Sequence, residues 1–397
     1  MKIVLDTDNV FTYLAKLKYC TNLAKDTSKT LIISAKNFNI AIEFEDGRHL
    51  LVKQEILNDC GESRGEFWTA WHIKQLVDRF PKLGEKIGNF LPELLHFDPE
   101  SSILIVNYLN NYSDLYRYYL QENQFPIEIA SAIGQFLATF HSQTFQQPDY
   151  QQFLERGLDR ADFPDASEPD ADRHIDTAMT ATDIIYRLNR ITPQVFQTMP
   201  IECLQFFKLY QRFPSLTRAI ADLGAAISPS CAIHNDLKLN NILLDSDWNS
   251  TQSQVIRVID WERASWGDPA FDLGCILGSY LEIWLDGLAI SKMLSINESL
   301  QLAVTPLELL QPSLFTLVQS YLAGFPTILA TRPDFLDRAI QFAGLALIQR
   351  IEISIDSHRS FGDRGIMMLQ VAKQLLCTPQ AAMKTLFDCD FDRLVSC

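Results

Sequence analysis

Polar residues stand at the ends of short apolar runs between residues 231 and 260. His234-Asn235-Asp236 follows the run Cys-Ala-Ile, Asn241 comes five residues after Asp236, and Asp260 closes the run Val-Ile-Arg-Val-Ile. An aspartate can accept the proton of an attacking hydroxyl group, and carboxylate and amide oxygens are the hard ligands that a divalent cation prefers. Because the runs are short and apolar, they predict strands that end at these residues. The order indicates the catalytic part of a phosphoryl-transfer site.

Each polar residue of this stretch has a predicted role. Asp236 is the candidate general base, and Asn241 and Asp260 are the candidate ligands of Mg²⁺. Lys238, two positions after Asp236, can reach the transferring phosphate, and His234 braces the loop by hydrogen bonding. A lone His-x-Asp would predict only a polar turn. The full order of loop, strand, turn, second strand and Ile-Asp is far more specific.

The same stretch resembles the aminoglycoside phosphotransferase and choline kinase group of protein-kinase-like enzymes. Residues 234–243 resemble the catalytic loop of that group, residues 259–262 its metal-binding segment, and residues 266–273 its Gly-Asp-Pro-x-x-Asp-Leu box. The resemblance implies that Asp272 supports the catalytic loop. Residues 134–141, Gly-x-x-Leu-x-x-x-His, also resemble a helix that the group carries early in its large lobe.

Departures from protein kinases narrow this resemblance. Asn235 stands where those enzymes have the arginine of His-Arg-Asp, and Trp261-Glu262 replaces the Phe-Gly that follows their metal-binding aspartate. Gly-Asp-Pro comes within seven residues of Asp260, and no Ala-Pro-Glu follows. These differences argue against a regulated protein kinase. Lys238, however, matches the Asp-Leu-Lys of Ser/Thr protein kinases, so a peptide hydroxyl group stays open as the acceptor.

The N-terminal part of the chain has the pattern of a small sheet. Short β-type runs cover residues 31–33, 40–44 and 50–53, with the hairpin turn signal Asp46-Gly47 between the last two. Residues 64–80 predict a helix that ends at Pro81, and residues 94–97 and 103–108 predict two more strands. The pattern indicates an antiparallel sheet with one inserted helix.

The resemblance assigns nucleotide-binding roles to this part. Lys53, on the third strand, is expected to hold the α- and β-phosphates, and Glu66 on the next helix to pair with it, with Glu62 as the second choice. A glycine-rich phosphate loop is absent from residues 34–39, so Ser34, Asn39 and backbone amides are expected to cover the phosphates. Backbone groups of Asn107-Tyr108-Leu109 are expected to bind adenine.

Most of the remaining chain has helical patterns. They cover residues 127–145, 314–323, 333–353 and 365–376, while the acidic, proline-containing residues 157–176 predict a solvated surface loop. We therefore predict an α+β, two-lobed protein-kinase-like fold. Residues 1–109 form the small antiparallel lobe and residues 110–397 the large, mainly helical lobe, with residues 107–111 as the connection.

Composition excludes some classes of function. The chain has 397 residues, is 47% hydrophobic and 21% charged, and has a formal net charge of −15, which disfavours a nucleic-acid-binding protein. None of its eight cysteines lies in a Cys-x-x-Cys pair, so neither a zinc site nor a disulfide framework is indicated. We find neither an uncharged apolar run of membrane-spanning length nor a signal segment, and we expect a cytoplasmic protein without membrane partners.

Two other motifs have alternative interpretations. Asp6-Thr7-Asp8 matches the nucleophile motif of haloacid-dehalogenase phosphatases, but the βα repeats of that fold do not follow it. Glu282 and Asp286 lie one helical turn apart, as do Glu352 and Asp356. Such pairs are usually solvated helix faces, although they could also line an acidic pocket for a cationic substrate.

The predicted function is ATP- and Mg²⁺-dependent phosphorylation of an alcohol hydroxyl group. The resemblance implies a small acceptor of aminoglycoside, choline or sugar type. A Ser or Thr of a precursor peptide, phosphorylated during maturation of a peptide natural product, is the second enzymatic hypothesis. A pseudokinase that binds nucleotide or serves as a scaffold is a third; the intact Lys53, Asp236, Asn241 and Asp260 argue against it, and the missing glycines favour it.

Overall fold

The computed structural model describes residues 2–21, 24–33, 36–58, 62–158, 180–189, 197, 199–250, 255–291, 293–294, 298–299, 302–389 and 394. They form two compact units. The first comprises the described residues of Met1–Ser113 and Asp245–Ala264, and the second those of Asp114–Leu244 and Ser265–Cys397. Within the described ranges, no helix combines the length and the apolar character that crossing a bilayer requires.

A five-stranded antiparallel sheet forms the centre of the first unit. Its spatial order is β1-β2-β3-β5-β4, with each strand antiparallel to its neighbours. The strands are Lys29–Ile32 (β1), Phe38–Glu43 (β2), His49–Gln54 (β3), Leu94–Asp98 (β4) and Ile103–Asn107 (β5). Gly47, at φ +81°, closes the turn between β2 and β3, a conformation that favours glycine. The predicted antiparallel sheet is confirmed.

Strand β3 has one face in the core and one face outside it. Leu50 and Val52 are buried, and Val52 packs in a cluster with Val10 and Leu14 of helix α1 (Val10–Lys16). Successive side chains of a strand point to opposite faces, so Lys53 projects away from this cluster. Asn39 of β2 lies opposite Lys53 in the sheet.

In the described part of the first unit, the short helix α2 (Ala24–Thr27) precedes β1. After β3 come the helices α3 (Glu66–Arg79) and α4 (Pro81–Ile87), and then a 3₁₀ turn at Gly88–Phe90. Pro81 therefore begins a further helix as well as ending α3, because a proline at the first helical position needs no hydrogen-bond acceptor for its nitrogen.

Glu55 ties the end of β3 to the start of α3. Its Oε1 accepts a 2.7 Å hydrogen bond from the backbone N–H of Phe67 and another of 2.7 Å from the Ser102 hydroxyl. The carboxylate thus satisfies a backbone donor in the first turn of α3, where negative charge is also favoured by the helix dipole. This contact fixes the start of α3, and with it Glu66, relative to the strand that carries Lys53.

Helices form most of the second unit, which confirms the prediction of an α+β chain with a large helical part. The order of the described elements is α5 (Leu115–Glu122), α6 (Ile127–Thr144), α7 (Pro148–Leu158), α8 (Ala181–Asn189), α9 (Ile201–Tyr210), α10 (Pro214–Ala226), β7 (Cys231–Ile233), β10 (Ser265–Gly267), α11 (Pro269–Asp286), α12 (Leu307–Gly324), α13 (Thr327–Thr331), α14 (Phe335–His358), α15 (Asp363–Cys377) and α16 (Pro379–Phe387). Strands β6 (Tyr112–Asp114) and β8 (Ile242–Asp245) lie at the unit boundaries, and β9 (Ile256–Val258) belongs to the first unit.

Close packing of α6 against α12 requires a glycine. A Cβ atom built on Gly134 would lie 2.4 Å from the carbonyl oxygen of Leu317 and 2.9 Å from the side chain of Ser320. The hydroxyl groups of Ser131 and Ser320 also lie 2.9 Å apart across this contact. Gly134 therefore lets the two helices approach closely, and this contact sets the position of His141 further along α6.

Candidate active site

The catalytic loop begins where a short strand pair ends. Strand β7 is antiparallel to β10, with Ala232 opposite Trp266. The chain then turns at Asn235, which has the left-handed φ of +65°, a conformation that asparagine tolerates better than most residues. The asparagine found where protein kinases have arginine thus occupies a position with a specific backbone requirement.

Asp272, near the start of α11, holds this loop from beneath. Its Oδ2 accepts a 2.6 Å hydrogen bond from the backbone N–H of His234, and its Oδ1 accepts one of 2.9 Å from that of Asn235. His141 Nε2 lies 3.3 Å from Oδ2, and His141 Nδ1 lies 3.0 Å from the Tyr321 hydroxyl. All of these side-chain groups are buried.

The ionised form of Asp272 is favoured despite this burial. Burial raises the pKa of a carboxyl group, but the hydrogen bond and charge of His141, together with His234, outweigh that effect and lower the pKa of Asp272. A carboxylate that accepts two backbone N–H bonds at short range fixes the loop geometry. We propose that Asp272 acts as a positioning residue for Asp236.

Asp236 is surrounded by donors from its own loop. Lys238 Nζ lies 3.2 Å from Oδ2 and 3.4 Å from Oδ1, and Asn241 Nδ2 lies 3.4 Å from Oδ2. The backbone N–H of Asp236 also donates to His234 Nδ1 at 3.3 Å. The side chain of Asp236 is 20% exposed, so its carboxylate is held in place yet reachable by another molecule. A general base must likewise be held in place and be accessible to the group that it deprotonates.

Asn241 is oriented with its amide oxygen available as a ligand. Its Nδ2 donates a 2.9 Å hydrogen bond to the backbone carbonyl of Asp236, so its Oδ1 is the remaining polar atom of the amide. An amide oxygen is a hard donor of the kind that Mg²⁺ accepts. Asn241 itself lies in the 3₁₀ turn Leu239–Asn241, whose first backbone N–H donates to Ser279 Oγ of α11 at 3.1 Å.

An acidic cluster lies on the same side of the second unit as Lys238. Glu282 of α11 is ion-paired with Arg350, and Asp286 accepts a 3.1 Å hydrogen bond from the Tyr116 hydroxyl. Burial raises the pKa of Glu282, whereas the charges of Arg350 and Lys238 act in the opposite direction. Only 12% of the Glu282 side chain is exposed, so this position is not a solvated helix face.

The second acidic pair has a structural role. Glu352 is 1% exposed and is ion-paired with Arg187 of α8. Burial raises the pKa of Glu352, and the charge of Arg187 opposes that shift. The ion pair of Glu352 with Arg187 therefore joins α14 to α8, and Glu352 does not line an open substrate pocket.

In the first unit, Lys53 contacts two carboxylates. Its Nζ lies 2.8 Å from Glu262 Oε1 and 3.1 Å from Asp260 Oδ1. Burial alone would lower the pKa of Lys53, but the charges of Asp260 and Glu262 outweigh it and raise that pKa. Burial, with the charge of Asp260, raises the pKa of Glu262, and Lys53 opposes the shift. Asp260 has φ +60°, a turn that directs Glu262 back toward Lys53.

The expected pairing of Lys53 with Glu66 is absent from the structure. Glu66 Oε1 instead accepts a 2.6 Å bond from Lys36 Nζ. Glu62, the second choice, exchanges hydrogen bonds with Asn58. Glu262 occupies the partner position because the turn at Asp260 places it beside Lys53. In the sequence, Glu262 directly follows Asp260-Trp261, where protein kinases have a glycine. This departure was the signal that could have pointed to Glu262 as the partner of Lys53.

Of the other predicted nucleotide-binding residues, the structure describes all except Ser34. Ser34 lies outside the described residues, and so does most of the acidic stretch 157–176. Asn39 is buried, and its Oδ1 has no hydrogen-bond partner. The backbone N–H of Asn107 donates to Glu93 O at 2.9 Å and that of Tyr108 to His49 O at 3.0 Å. The backbone N–H groups of Asn107 and Tyr108 are therefore already hydrogen-bonded within the protein.

Sequence reasoning missed the outer supports of the catalytic loop. The Tyr321 hydroxyl of α12 contacts His141, the neighbour of Asp272, and the Ser279 hydroxyl of α11 accepts from the N–H of Leu239. A serine or tyrosine in a helical pattern has no local signal for such a contact. The Gly-x-x-Leu-x-x-x-His motif did single out His141, although not its bond to Asp272.

Comparison with known proteins finds a family model that matches this region. The sequence profile described as "Phosphotransferase enzyme family" matches residues 113–294. This range contains the catalytic loop, the Asp260 segment and the Gly-Asp-Pro box, so the resemblance predicted from those motifs is confirmed. A curated relative, the 4-hydroxytryptamine kinase of Psilocybe cyanescens, is 26% identical over 192 residues, covering 47% of this chain and 46% of the relative. The chain thus spans less than half the length of that relative.

Solved structures of small-molecule kinases are also similar. The ethanolamine kinase of Plasmodium vivax has a TM-score of 0.49 and 11% identity, with 96% of this chain and 87% of that chain covered. The choline kinase of Streptococcus pneumoniae has a TM-score of 0.45 and 13% identity, with 92% of this chain and 99% of that chain covered.

Proposed function

We propose that this chain, whose residues 113–294 match the phosphotransferase enzyme family, transfers the γ-phosphate of ATP to the hydroxyl group of a small molecule. The observation that carries the proposal is the environment of Asp236. Its carboxylate is held by Lys238 and Asn241 in a loop that Asp272 anchors through two backbone hydrogen bonds. A fixed, accessible carboxylate can accept the proton of an alcohol while the alcohol oxygen attacks the γ-phosphate. A lysine beside it can stabilise the charge on that phosphate.

Each residue has one role in this proposal. Asp236 orients the acceptor hydroxyl group and accepts its proton. Lys238 stabilises the negative charge that develops on the transferring phosphate. Lys53 binds nucleotide phosphates, with Glu262 as the carboxylate that orients its ammonium group. Leu109, with the neighbouring backbone of Asn107 and Tyr108, accommodates adenine.

Magnesium suits the available donors. Asn241 Oδ1 and the Asp260 carboxylate are hard oxygen ligands, and His234 braces the loop through its hydrogen bond from Asp236 N–H. Among the described residues there is no group of three or more His, Cys, Asp and Glu side chains that could hold a metal ion. Asn241 and Asp260 are the residues that would hold the cation. When bound, Mg²⁺ neutralises charge on the phosphates.

We further propose that the acceptor carries an amine near its hydroxyl group. Glu282 lies close enough to Lys238 for their charges to interact, and it is too buried to serve only as a surface residue. Its partner Arg350 is 43% exposed, and Arg364, the partner of Asp286 at 3.6 Å, is 57% exposed, so a cationic acceptor could share these carboxylates with them. Burial and the charges of these two carboxylates raise the pKa of Tyr116, whose hydroxyl donates to Asp286 at 3.1 Å. The similarity to a 4-hydroxytryptamine kinase supports a related class, a hydroxyl compound with a cationic amine.

A nucleotide-binding module without turnover is the second candidate function. It is favoured by the direct contact of Lys53 with Asp260 and by the glycine-free turn between β1 and β2, since both differ from the arrangement expected of an active phosphotransferase. Such a module would bind ATP yet phosphorylate nothing.

A transfer assay with γ-labelled ATP tests the proposal. The acceptor panel contains hydroxyl compounds with a cationic nitrogen (choline, ethanolamine and 4-hydroxytryptamine) and an aminoglycoside. It also contains a neutral sugar and Ser- and Thr-containing peptides. We expect Mg²⁺-dependent labelling of one of the cationic compounds or of the aminoglycoside. Labelling of peptides alone would contradict the small-molecule acceptor, and binding of Mg·ATP without labelling of any acceptor would favour the module.

A further inference from the structure

We propose that Lys36 is a second phosphate-binding cation of the nucleotide site and compensates for the missing glycine-rich loop. The inference rests on the proposed function and deepens it. Lys36 lies in the turn between β1 and β2, where a glycine-rich loop would bring backbone N–H groups close to phosphates. Residues 34–39 contain no glycine, the residue that best lets a backbone approach a phosphate closely. A long cationic side chain such as that of Lys36 can reach a phosphate instead.

Lys36 belongs to the same charged cluster as Lys53. Its Nζ lies 2.6 Å from Glu66 Oε1, the charge of Glu66 acts on Glu262, and Glu262 contacts Lys53 at 2.8 Å. All of these residues lie in the first unit. The side chain of Lys36 is 30% exposed, so its ammonium group can leave Glu66 without disturbing a packed core.

The charges of this cluster call for a second cation. Glu66, Asp260 and Glu262 provide three carboxylates, against which stand two ammonium groups, Lys36 and Lys53. Lys53 is already shared by two of the carboxylates. A triphosphate that met Lys53 alone would face an excess of negative protein charge, which costs binding energy in a partly desolvated site. Lys36 reduces that excess and can donate charge-assisted hydrogen bonds to phosphate oxygens.

Asn39 gives an independent sign that this face takes a ligand. It lies directly opposite Lys53 in the sheet, so the two side chains share a face. Asn39 is 7% exposed, and its Oδ1 is buried without a hydrogen-bond partner. Buried polar atoms are rarely left unsatisfied, and exceptions tend to lie at functional sites. The β1–β2 end of the sheet therefore has both a movable cation and an unfilled hydrogen-bonding position.

The competing explanation is that the Lys36–Glu66 pair only braces the turn against α3. The two explanations differ in what happens when each partner is changed. If the pair is only a brace, Lys36→Ala and Glu66→Gln weaken nucleotide binding equally. If Lys36 binds phosphate, the two changes have opposite effects, because Glu66→Gln frees the cation that Lys36→Ala removes.

Calorimetric titration of the full chain with Mg·ATP, Mg·ADP and adenosine tests the inference. Lys29→Ala is the matched control, since Lys29 lies on the same strand pair, at the end of β1 away from the turn, and is ion-paired with Glu43 at 3.1 Å. We expect Lys36→Ala to weaken ATP binding about tenfold and adenosine binding less than twofold, because only the phosphate contact is lost. Glu66→Gln should bind ATP at least as tightly as the wild type, Lys36→Arg should stay within about threefold of it, and Lys29→Ala should leave all three ligands unchanged.

The outcomes separate this inference from the proposed function. Wild-type protein that binds Mg·ATP, with Lys36→Ala binding it equally well, overturns the role of Lys36 alone. Equal weakening by Lys36→Ala and Glu66→Gln, or parallel loss of ATP and adenosine binding, also overturns it in favour of a brace. Wild-type protein that binds neither ATP nor ADP contradicts the proposed function itself.

Discussion

The ammonium nitrogen of Lys53 lies 2.8 Å from Oε1 of Glu262, a residue 209 positions later in the chain. The strand lysine and the segment that follows Asp260 are thereby joined within the first unit. Because Glu262 holds Lys53 while Glu66 holds Lys36, the two lysines have separate carboxylate partners. The contact between Lys53 and Glu262 also makes the stability of the first unit depend on pH.

Replacement of Lys53 by methionine should reveal that dependence. Without the ammonium group, burial and the charge of Asp260 would hold the pKa of Glu262 still further above its ordinary value. A carboxyl group with a raised pKa in the folded state contributes stability below its unfolded pKa, and this is lost as pH rises through the folded pKa. We expect the variant to lose about 2 kcal/mol of unfolding free energy at pH 8 and less at pH 5. Chemical denaturation at both pH values measures this, and equal losses would contradict it.

Asp272 should show the opposite dependence. Its pKa in the folded protein is lowered, so the stability that it contributes is present above the ordinary value of 3.8 and is lost as pH falls through the lower, folded value. Asp272→Asn should lower the unfolding free energy by about 3 kcal/mol at pH 7, because the amide presents a donor to backbone N–H groups. The difference from the wild type should shrink below pH 4, as denaturation curves can measure. Asp363→Asn, at an exposed helix start, is the control and should change little; a pH-independent deficit would refute the assignment.

Gly134 provides a test of the packing that positions His141. A methyl group at this position would lie 2.4 Å from Leu317 O, so Gly134→Ala should force α6 and α12 apart. We expect a loss of about 2–3 kcal/mol in unfolding free energy, since overpacked helix contacts cost this much. Gly88→Ala is the matched control, because nothing lies within 4 Å of its added Cβ atom, and it should be neutral. Similar stability of the two variants would show that α6 and α12 have room to adjust.

The sequence predicted the strands and the main helices because those depend on local signals. Apolar periodicity predicted β2, β3 and α6, and Asp46-Gly47 predicted the turn that joins β2 to β3. The partner of Lys53 was not predictable in the same way. It depends on the left-handed turn at Asp260 and on the position of α3, which Glu55 fixes through Phe67 N–H. Contacts between residues far apart in sequence have no periodic signal.

Glu282 offers a test of the acceptor class. Glu282→Gln should raise the KM of a cationic acceptor about tenfold while changing the KM for ATP less than twofold, because one buried negative charge near the acceptor is lost. Steady-state kinetics with the best acceptor of the transfer assay measures both constants. Glu308→Gln, an exposed glutamate at the start of α12, is the control. An equal effect on a neutral acceptor would show that Glu282 acts through folding and not through charge.

Asp236→Asn tests most directly whether Asp236 is the general base of phosphate transfer. The measurement compares the rate of acceptor phosphorylation with the dissociation constant of Mg·ATP in the same variant, with Asp247→Asn as the exposed control on the following turn. We predict that Asp236→Asn lowers kcat by about 10³-fold and leaves the dissociation constant within threefold of the wild type, because the base acts in the chemical step. A variant that phosphorylates the acceptor at the wild-type rate would contradict the account.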